Sequence, residues 1–338
     1  MKKNKINKKK LLFVYYMLGS FVKSDLTTLS KNYEVTTYFF KPTDKYFLLF
    51  IRLVFQFFYL LINIHKFKYI YIWFADYHSV LPVFFAKVFR KKSFVVNGGY
   101  DVNSVPEFKY GIDKTKKRLM QNKWIFRNAT MCLPVAKSLK TKINSLAPKA
   151  KVIVIPTGVD YNIFTFSNYK REKTVITIAG GTTRQRFFIK GLDRFNELAV
   201  HMPDYKFIVL GMEKDIYSRY IKPAKNLEIV GFIKKQSDFI NAIQYSSFYA
   251  QFSRSEGLPT ALLEAMLCGC IPLGIDVGDI KRVASGIGFV SEKWDTDLYR
   301  DFIINNHNNK EFRDKARKRI IDNFTIEKRG KLLTNIIS

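Results

Sequence analysis

The chain has 338 residues, enough for two domains, and its 47% hydrophobic content can fill two cores. Three cysteines, Cys132, Cys268 and Cys270, exclude a disulfide framework and suit a reducing compartment. The net charge of +29 is uneven: residues 1–160 carry 29 Lys and Arg against 8 Asp and Glu, a net +21, and the rest nets +8, so the first half calls for an anionic partner, membrane or nucleic acid.

The start, MKKNKINKKK followed by LLFVYYMLGSFV, has the outline of a secretion signal. Its apolar run contains two Tyr, and no small-x-small cleavage site follows, so it reads as a basic tail feeding a buried strand at 11–16. Gly19 then sits in a tight turn before a helix. Residues 33–40 read as a strand. Residues 46–64 form the most apolar stretch, close in length to a membrane span. Arg52, Gln56 and Asn63 interrupt it, and a mid-span Arg is costly. It therefore reads as a helix packed in the domain with one aromatic face available to lipid.

Strands at 68–74, 93–97, 130–134 and 152–155 alternate with helices at 80–89 and 114–126. This predicts a parallel sheet with helices on both faces. Ligands in such sheets bind beyond the carboxyl ends of the strands. Gly19, Asp76, His78, Gly98, Gly99 and Asp101 all fall there; each alone fits ordinary turn chemistry, and together they suggest a cleft. Residues 167–173 are polar, and the boundary falls at about 161–172, giving domains 1–165 and 166–338.

The second half repeats the alternation, with strands at 174–179, 206–210, 228–230, 248–250 and 271–274 and helices at 192–200, 216–220 and 237–242. The key stretch is SRSEGLPTALLEAMLCGCI at 253–271. Residues 260–268 have the pattern of a short buried helix that stops at Gly269. One acid, Glu264, stands inside it. A carboxylate among Ala, Leu and Met is costly without a partner, although an acid near a helix start also complements the dipole. The helix start offers free N–H groups, an anion site. Arg184 or Arg186, with Lys190, adds two cations, and together these match a diphosphate. Glu264 lies one turn beyond Thr260 on the same face and could accept from ribose hydroxyls. Glu256 could accept from hydroxyls on the other side of the diphosphate. Cys268 and Cys270 read as small buried residues.

On these residues the chain resembles the retaining family 4 glycosyltransferases, glycosyl transferases group 1. The carriers are EGLPTALLEAMLCGC at 256–270 with its E-x7-E spacing, IPTGVDYNIF at 155–164, the Arg to Lys-Gly run at 184–191, and PLGIDVGDI at 272–280. The resemblance is strong over about 150–292 and loose over 10–140. It implies an α/β GT-B fold, two Rossmann-like domains with parallel sheets facing a central cleft. It also implies sugar transfer from a UDP- or GDP-sugar to a hydroxyl of a saccharide or lipid-linked acceptor, with retention, in cell-envelope polysaccharide or glycoconjugate synthesis.

The resemblance further implies roles. Arg184 (or Arg186) and Lys190 would neutralise the diphosphate, Glu264 would hold the ribose, and Glu256 the transferred sugar. Gly257, Leu258 and Thr260 would contact phosphate and sugar, Phe232 and Ile233 would border the base, and Gly19 would let the first loop approach the diphosphate. Asp101, Asp76, His78, Gly98 and Gly99 are the acceptor-side candidates, with Asp101 counted among the catalytic group. Many members carry a His where this chain has Gly98. A last helix, around 311–337, would cross back to the first domain. No cofactor or metal is expected; the DxD at Asp295–Asp297 reads as helix-start acids. The expected setting is cytoplasmic, peripheral on the inner face of the plasma membrane, with an anionic lipid surface as partner and no nucleic acid. Competing readings are a basic nucleic-acid- or membrane-binding protein on the same fold and a nucleotide-sugar epimerase.

Overall fold

The computed structural model describes residues 8–166, 171–307 and 309–337; the basic residues 1–7 and most of the polar stretch 167–173 lie outside them. Contacts divide the chain into two compact units. The first holds Met1–Ser104, Gly111–Gly158 and Ile326–Ser338, and the second Val105–Tyr110 and Val159–Thr325.

In the first unit the chain runs β1 (Lys10–Tyr15), α1 (Ser20–Asn32), β2 (Glu34–Phe39), α2 (Tyr46–Asn63), β3 (Tyr69–Trp73), α3 (Tyr77–Val88) and β4 (Lys92–Asn97); two-residue strands β5 (Ser104–Val105) and β6 (Tyr110–Gly111) mark the ends of the segment assigned to the second unit, and α4 (Lys116–Asn128), β7 (Met131–Pro134) and α5 (Lys137–Leu146) follow in the first. The sheet order is β2-β1-β3-β4-β7, parallel throughout. Its central strands read as unbroken apolar runs such as YIYIW because both faces are covered.

The second unit runs β8 (Glu172–Ile178), α6 (Arg184–Ile189), α7 (Leu192–Val200), β9 (Lys206–Leu210), α8 (Lys214–Ser218), β10 (Leu227–Val230), α9 (Gln236–Tyr245), β11 (Ser246–Gln251), α10 (Thr260–Leu267), β12 (Ile271–Ile275), α11 (Ile280–Ala284), β13 (Phe289–Ser291), α12 (Thr296–Asn306) and α13 (Lys310–Asn323). The sheet order β10-β9-β8-β11-β12-β13 is also all parallel. In strand order within the unit this is 3-2-1-4-5-6, the doubly wound arrangement. Helix α14 (Ile326–Ile337) returns to the first unit.

Two expectations change. Residues 152–155 form a single bridge, Cys132 to Val152, in place of a strand. Lys151 and Pro134 carbonyls accept from Cys132 and Ile155, and Cys132 accepts from Ile153. Pro134 has no N–H to return, so the ladder stops. The last helix is two helices, broken where the Phe324 carbonyl accepts from Val159 N–H and Thr325 bridges Val159.

A buried ion pair fastens α14 in the first unit. Asp25 of α1 receives Arg329 Nε at 2.5 Å and Nη2 at 2.7 Å. Tyr71 Oη and Trp73 Nε1 of β3 also donate to Asp25, at 2.7 and 2.9 Å. Arg329 Nη1 donates onward to the Ile155 and Pro156 carbonyls. Both side chains are out of water, so neither tolerates loss of the other. Arg329→Met should cost about 3–5 kcal/mol in a urea or thermal unfolding series, because it strands a buried carboxylate. Asp25→Asn added to it should recover part of that loss; full stability in the single variant would refute the assignment.

Candidate active site

Doubly wound sheets open a crevice where the strand order reverses. In the second unit that point lies between β8 and β11. The loop after β8 leads through α6 to Lys190, and the loop after β11 carries Glu256. Lys190 Nζ donates to Glu256 Oε1 at 2.7 Å, in a pair largely shielded from solvent. Gln251, at the end of β11, donates to the same oxygen at 3.0 Å and to Ser253 Oγ at 2.7 Å, and its own Oε1 accepts from Tyr249 Oη.

The two loops are clamped together. Arg254 makes a bidentate pair with Asp193 at 2.8 and 2.6 Å and donates to the Phe188 carbonyl, while its own N–H donates to the Ile189 carbonyl. Gly191 opens α7 at φ +69°, where a Cβ would stand 2.1 Å from the Phe252 carbonyl oxygen. Gly278, at φ +66°, lets its backbone approach Glu256 and Gly257, and Asp279 N–H donates to the Gly257 carbonyl. No side chain can replace either glycine without moving the Glu256 loop.

Helix α10 begins four residues after Glu256, with Pro259 before it and no side-chain cap or first-turn acid. Its first N–H groups are therefore available to an anion. At the other end Arg317 donates to the Leu267 carbonyl and Arg171 to that of Cys268. Glu264, one turn inside the helix, has no hydrogen bond or ion pair to its carboxylate among the described residues. It is only partly accessible, and burial pushes its carboxyl up to about 8. Without a partner it is mostly protonated at neutral pH.

The remaining donor-side candidates are scattered. Arg184 is exposed and stacks over the Phe188 ring at 5.1 Å. Arg186 folds back to the Gly180 carbonyl at 3.3 Å. The Arg186 carbonyl accepts from Lys190 N–H, so the backbone of α6 leads directly into Lys190 while the Arg186 guanidinium turns back to Gly180. Gly257, Leu258 and Thr260 form the α10 entry as the motif implied. Phe232 is strongly exposed after β10, with Ile233 beside it. Asp295 caps α12 by accepting from the N–H groups of Asp297 and Leu298, so the DxD is a helix start.

In the first unit the order reverses between β1 and β3. A cavity of about 170 Å³ lies there, lined among others by Tyr16, Phe40, Asp76, His78, Tyr100 and Arg118. Asp76 caps α3 and pairs with Arg118 Nη2 at 2.7 Å; burial pushes its carboxyl up, against the pull of Arg118. The Arg118 guanidinium lies 4.4 Å from the centre of the Tyr100 ring. Gly19 is the residue before α1, in extended backbone.

Two acceptor-side candidates hold structural positions. Asp101 is fully buried, and its carboxylate accepts from the N–H groups of Ala75, Gly98 and Gly99 and from Asn97 Nδ2. It organises the Gly98–Gly99 loop and leaves no oxygen facing a ligand. His78 places Nε2 2.9 Å from the Trp73 carbonyl, and burial pushes it down to about 4, so it is neutral. At Gly98 a Cβ would sit 2.4 Å from the Phe74 ring, which fills the space a side chain there would need.

Gln251, Arg254, Asp193, Arg171, Tyr100 and Arg118 escape sequence reasoning. Gln251 alone leaves a signal, a long polar side chain closing the apolar strand at 248–250.

Comparison with known proteins bears on family and fold. Residues 162–323 match the family described as Glycosyl transferases group 1. A curated relative, GDP-mannose:cellobiosyl-diphosphopolyprenol alpha-mannosyltransferase of Xanthomonas campestris, is 23% identical over 171 residues, which is 47% of this chain and 45% of that protein. The match thus spans less than half of the relative's length. Among solved structures, sucrose-phosphate synthase from Thermosynechococcus elongatus superposes with a TM-score of 0.78 at 12% identity, covering 97% of this chain and 98% of the other. Anabaena Alr3699/HepE in complex with UDP-glucose gives 0.78 at 14% identity, covering 97% and 99%. At such identities the structures show a shared fold, that of the GT-B glycosyltransferases. The chain thus matches the glycosyl transferases group 1 family over residues 162–323 of its second unit and shares the GT-B fold over nearly its whole length.

Proposed function

We propose that the protein is a retaining glycosyltransferase. It moves a hexosyl group from a UDP- or GDP-sugar to a hydroxyl of a saccharide or lipid-linked acceptor, in cell-envelope polysaccharide or glycoconjugate synthesis. The observation that carries the reading is the Lys190–Glu256 pair at the β8/β11 switch point, set before an uncapped α10 that holds an unpartnered Glu264. In support, the Xanthomonas relative's name joins a nucleotide-sugar donor to a diphosphopolyprenol acceptor.

In this reading the donor diphosphate takes the α10 start and Lys190, with Arg184 or Arg186 supplying a second cation. These charges stabilise the diphosphate as it leaves. Glu264 accepts from the ribose hydroxyls, and Glu256, held by Lys190 and Gln251, accepts from sugar hydroxyls. Phe232 and Ile233 border the base. The bond from the anomeric carbon to the diphosphate breaks, the acceptor oxygen bonds on the same face, and its proton passes to the leaving phosphate oxygen. No protein base is required. The first-unit cavity with Asp76, Arg118 and Tyr100 would hold the acceptor, since a charged fork and aromatic faces suit sugar hydroxyls and ring C–H groups. The excess positive charge in residues 1–160 would hold the protein at the anionic inner face of the plasma membrane, at roughly 1 kcal/mol per cation near the surface.

A panel of nucleotide sugars read by thermal shift should single out one donor, worth about 2.7 kcal/mol of stability at a hundredfold excess over Kd. Product analysis should then find the donor's anomeric configuration kept. Lys190→Ala should lower turnover about 10²–10³-fold, the scale of one oxyanion-stabilising group. Parent-like activity in that variant on the selected donor would remove the phosphate assignment.

Glu264 sets a pH dependence. Its folded-state value of about 8 lies above the ordinary glutamate value of 4.5, so the ligand-free protein should lose stability as pH rises from about 5 through 8. Ribose hydroxyls favour the carboxylate, so donor affinity should rise over the same range. Glu264→Gln should flatten both curves in thermal-shift titrations; slopes unchanged from the parent would show that another group titrates.

A further inference from the structure

The longest helix of the first unit is polarised the wrong way for water. The inward seam of α2 carries its polar residues. Gln56 is buried and donates to the His78 carbonyl at 2.9 Å. Arg52 donates to the Lys41 and Pro42 carbonyls, and Asn63 to that of Tyr59. The outward face is aromatic and aliphatic: Phe47 is 73% exposed, Phe50 65%, Phe55 69%, Phe58 53% and Ile62 62%. A water-facing helix normally shows the reverse pattern. The apolar face continues onto the end of α3, where Phe84, Val88 and Phe89 are exposed; Phe57 of α2 meets Phe85 of α3 edge-on at 5.3 Å.

Cations frame this face. Lys41 and Lys45 precede α2 and Lys66 follows it, while Arg90 and Lys91 follow α3. One acid, Asp44, lies on the same loop as Lys45. The occupant that fits an apolar strip of this kind within a cationic frame is an anionic bilayer, with acyl chains against the aromatic rings and headgroups against the lysines. The length and hydropathy of Tyr46–Lys66 would also allow a span. Insertion across the membrane would tear Gln56 and Arg52 from the carbonyls that hold them, so the helix lies in the plane.

We propose that the α2 face, extended by the end of α3, is an in-plane docking surface for an anionic lipid bilayer. This rests on the membrane setting proposed above and names the element responsible; it does not depend on the donor or the reaction.

The full chain is mixed with phosphatidylcholine vesicles, with and without phosphatidylglycerol, and sedimented. The parent should bind the phosphatidylglycerol vesicles. Phe50→Ser with Phe58→Ser, both surface changes, should reduce the partition coefficient more than about tenfold while the nucleotide-sugar thermal shift stays unchanged. Tryptophan at position 55, in Phe55→Trp, should be quenched by brominated acyl chains beyond the parent's own signal. Parent-like binding by the double variant, or no added quenching, would overturn the α2 assignment and leave attachment to the basic surface alone. No binding by the parent to any vesicle would remove the membrane setting as well. A parent that is dimeric by light scattering, with a monomeric double variant and no lipid binding, would make this face a contact between copies of the chain.

Discussion

Asp25 and Arg329 illustrate the constraint on which the rest of the molecule depends: a charge taken out of water must be given partners in the fold. Asp25 has three donor side chains and Arg329 adds two carbonyls to its carboxylate. Asp101 is satisfied by backbone N–H groups, and Arg171 by carbonyls of Ser246 and Cys268. These groups are consumed by structure. Glu264 breaks the pattern, since its cost of burial is met by protonation rather than by a partner. A fold that satisfies its other buried carboxylates so thoroughly leaves this one open for something brought from outside. Lys190 and Glu256 are intermediate, paired with each other where an incoming diphosphate and sugar could each claim one of them.

Topology explains why these groups gather. Parallel strands deliver their carboxyl ends to one rim, and at the reversal of strand order two adjacent loops diverge and leave a crevice. Both units use that point. In the second, β8 and β11 supply Lys190 and Glu256; in the first, β1 and β3 supply Tyr16 and Asp76 around the cavity. The supporting groups then fix geometry more than they add affinity. The Arg254–Asp193 fork ties the loops together, and Gly191 and Gly278 permit backbone approaches that any Cβ would block.

Much of this was legible because it is local. Continuous apolar runs predicted buried parallel strands, and the E-x7-E spacing placed Glu256 in a loop and Glu264 one turn into a helix. What was hidden is relational. The six residues of α6 read as loop until Thr183 is seen to cap it by accepting from Arg186 N–H. The strand at 152–155 fails because of a proline on its neighbour. Asp101 looks like a rim acid by position, and only its hydrogen bonds show that it is spent. Helix α2 was legible as a helix, whereas the inward turn of its three polar residues depends on what packs beneath it.

The Gly98–Phe74 contact bears on mechanism. Phe74 adopts φ +70°, a conformation rare for an aromatic residue, and its ring occupies the volume beside Gly98. Many members of the resembled family place a His there, and here a side chain at 98 would displace Phe74. The left-handed backbone of Phe74 thus sets its ring where a side chain at 98 would stand. The neighbouring groups are held by the fold: His78 Nε2 lies against the Trp73 carbonyl, Asp101 accepts from four donors, and Asp76 is paired with Arg118. A sugar transfer in which the leaving phosphate takes the acceptor proton makes no demand on this position, so the chemistry assigned to the second unit is compatible with an aromatic wall where a histidine is absent.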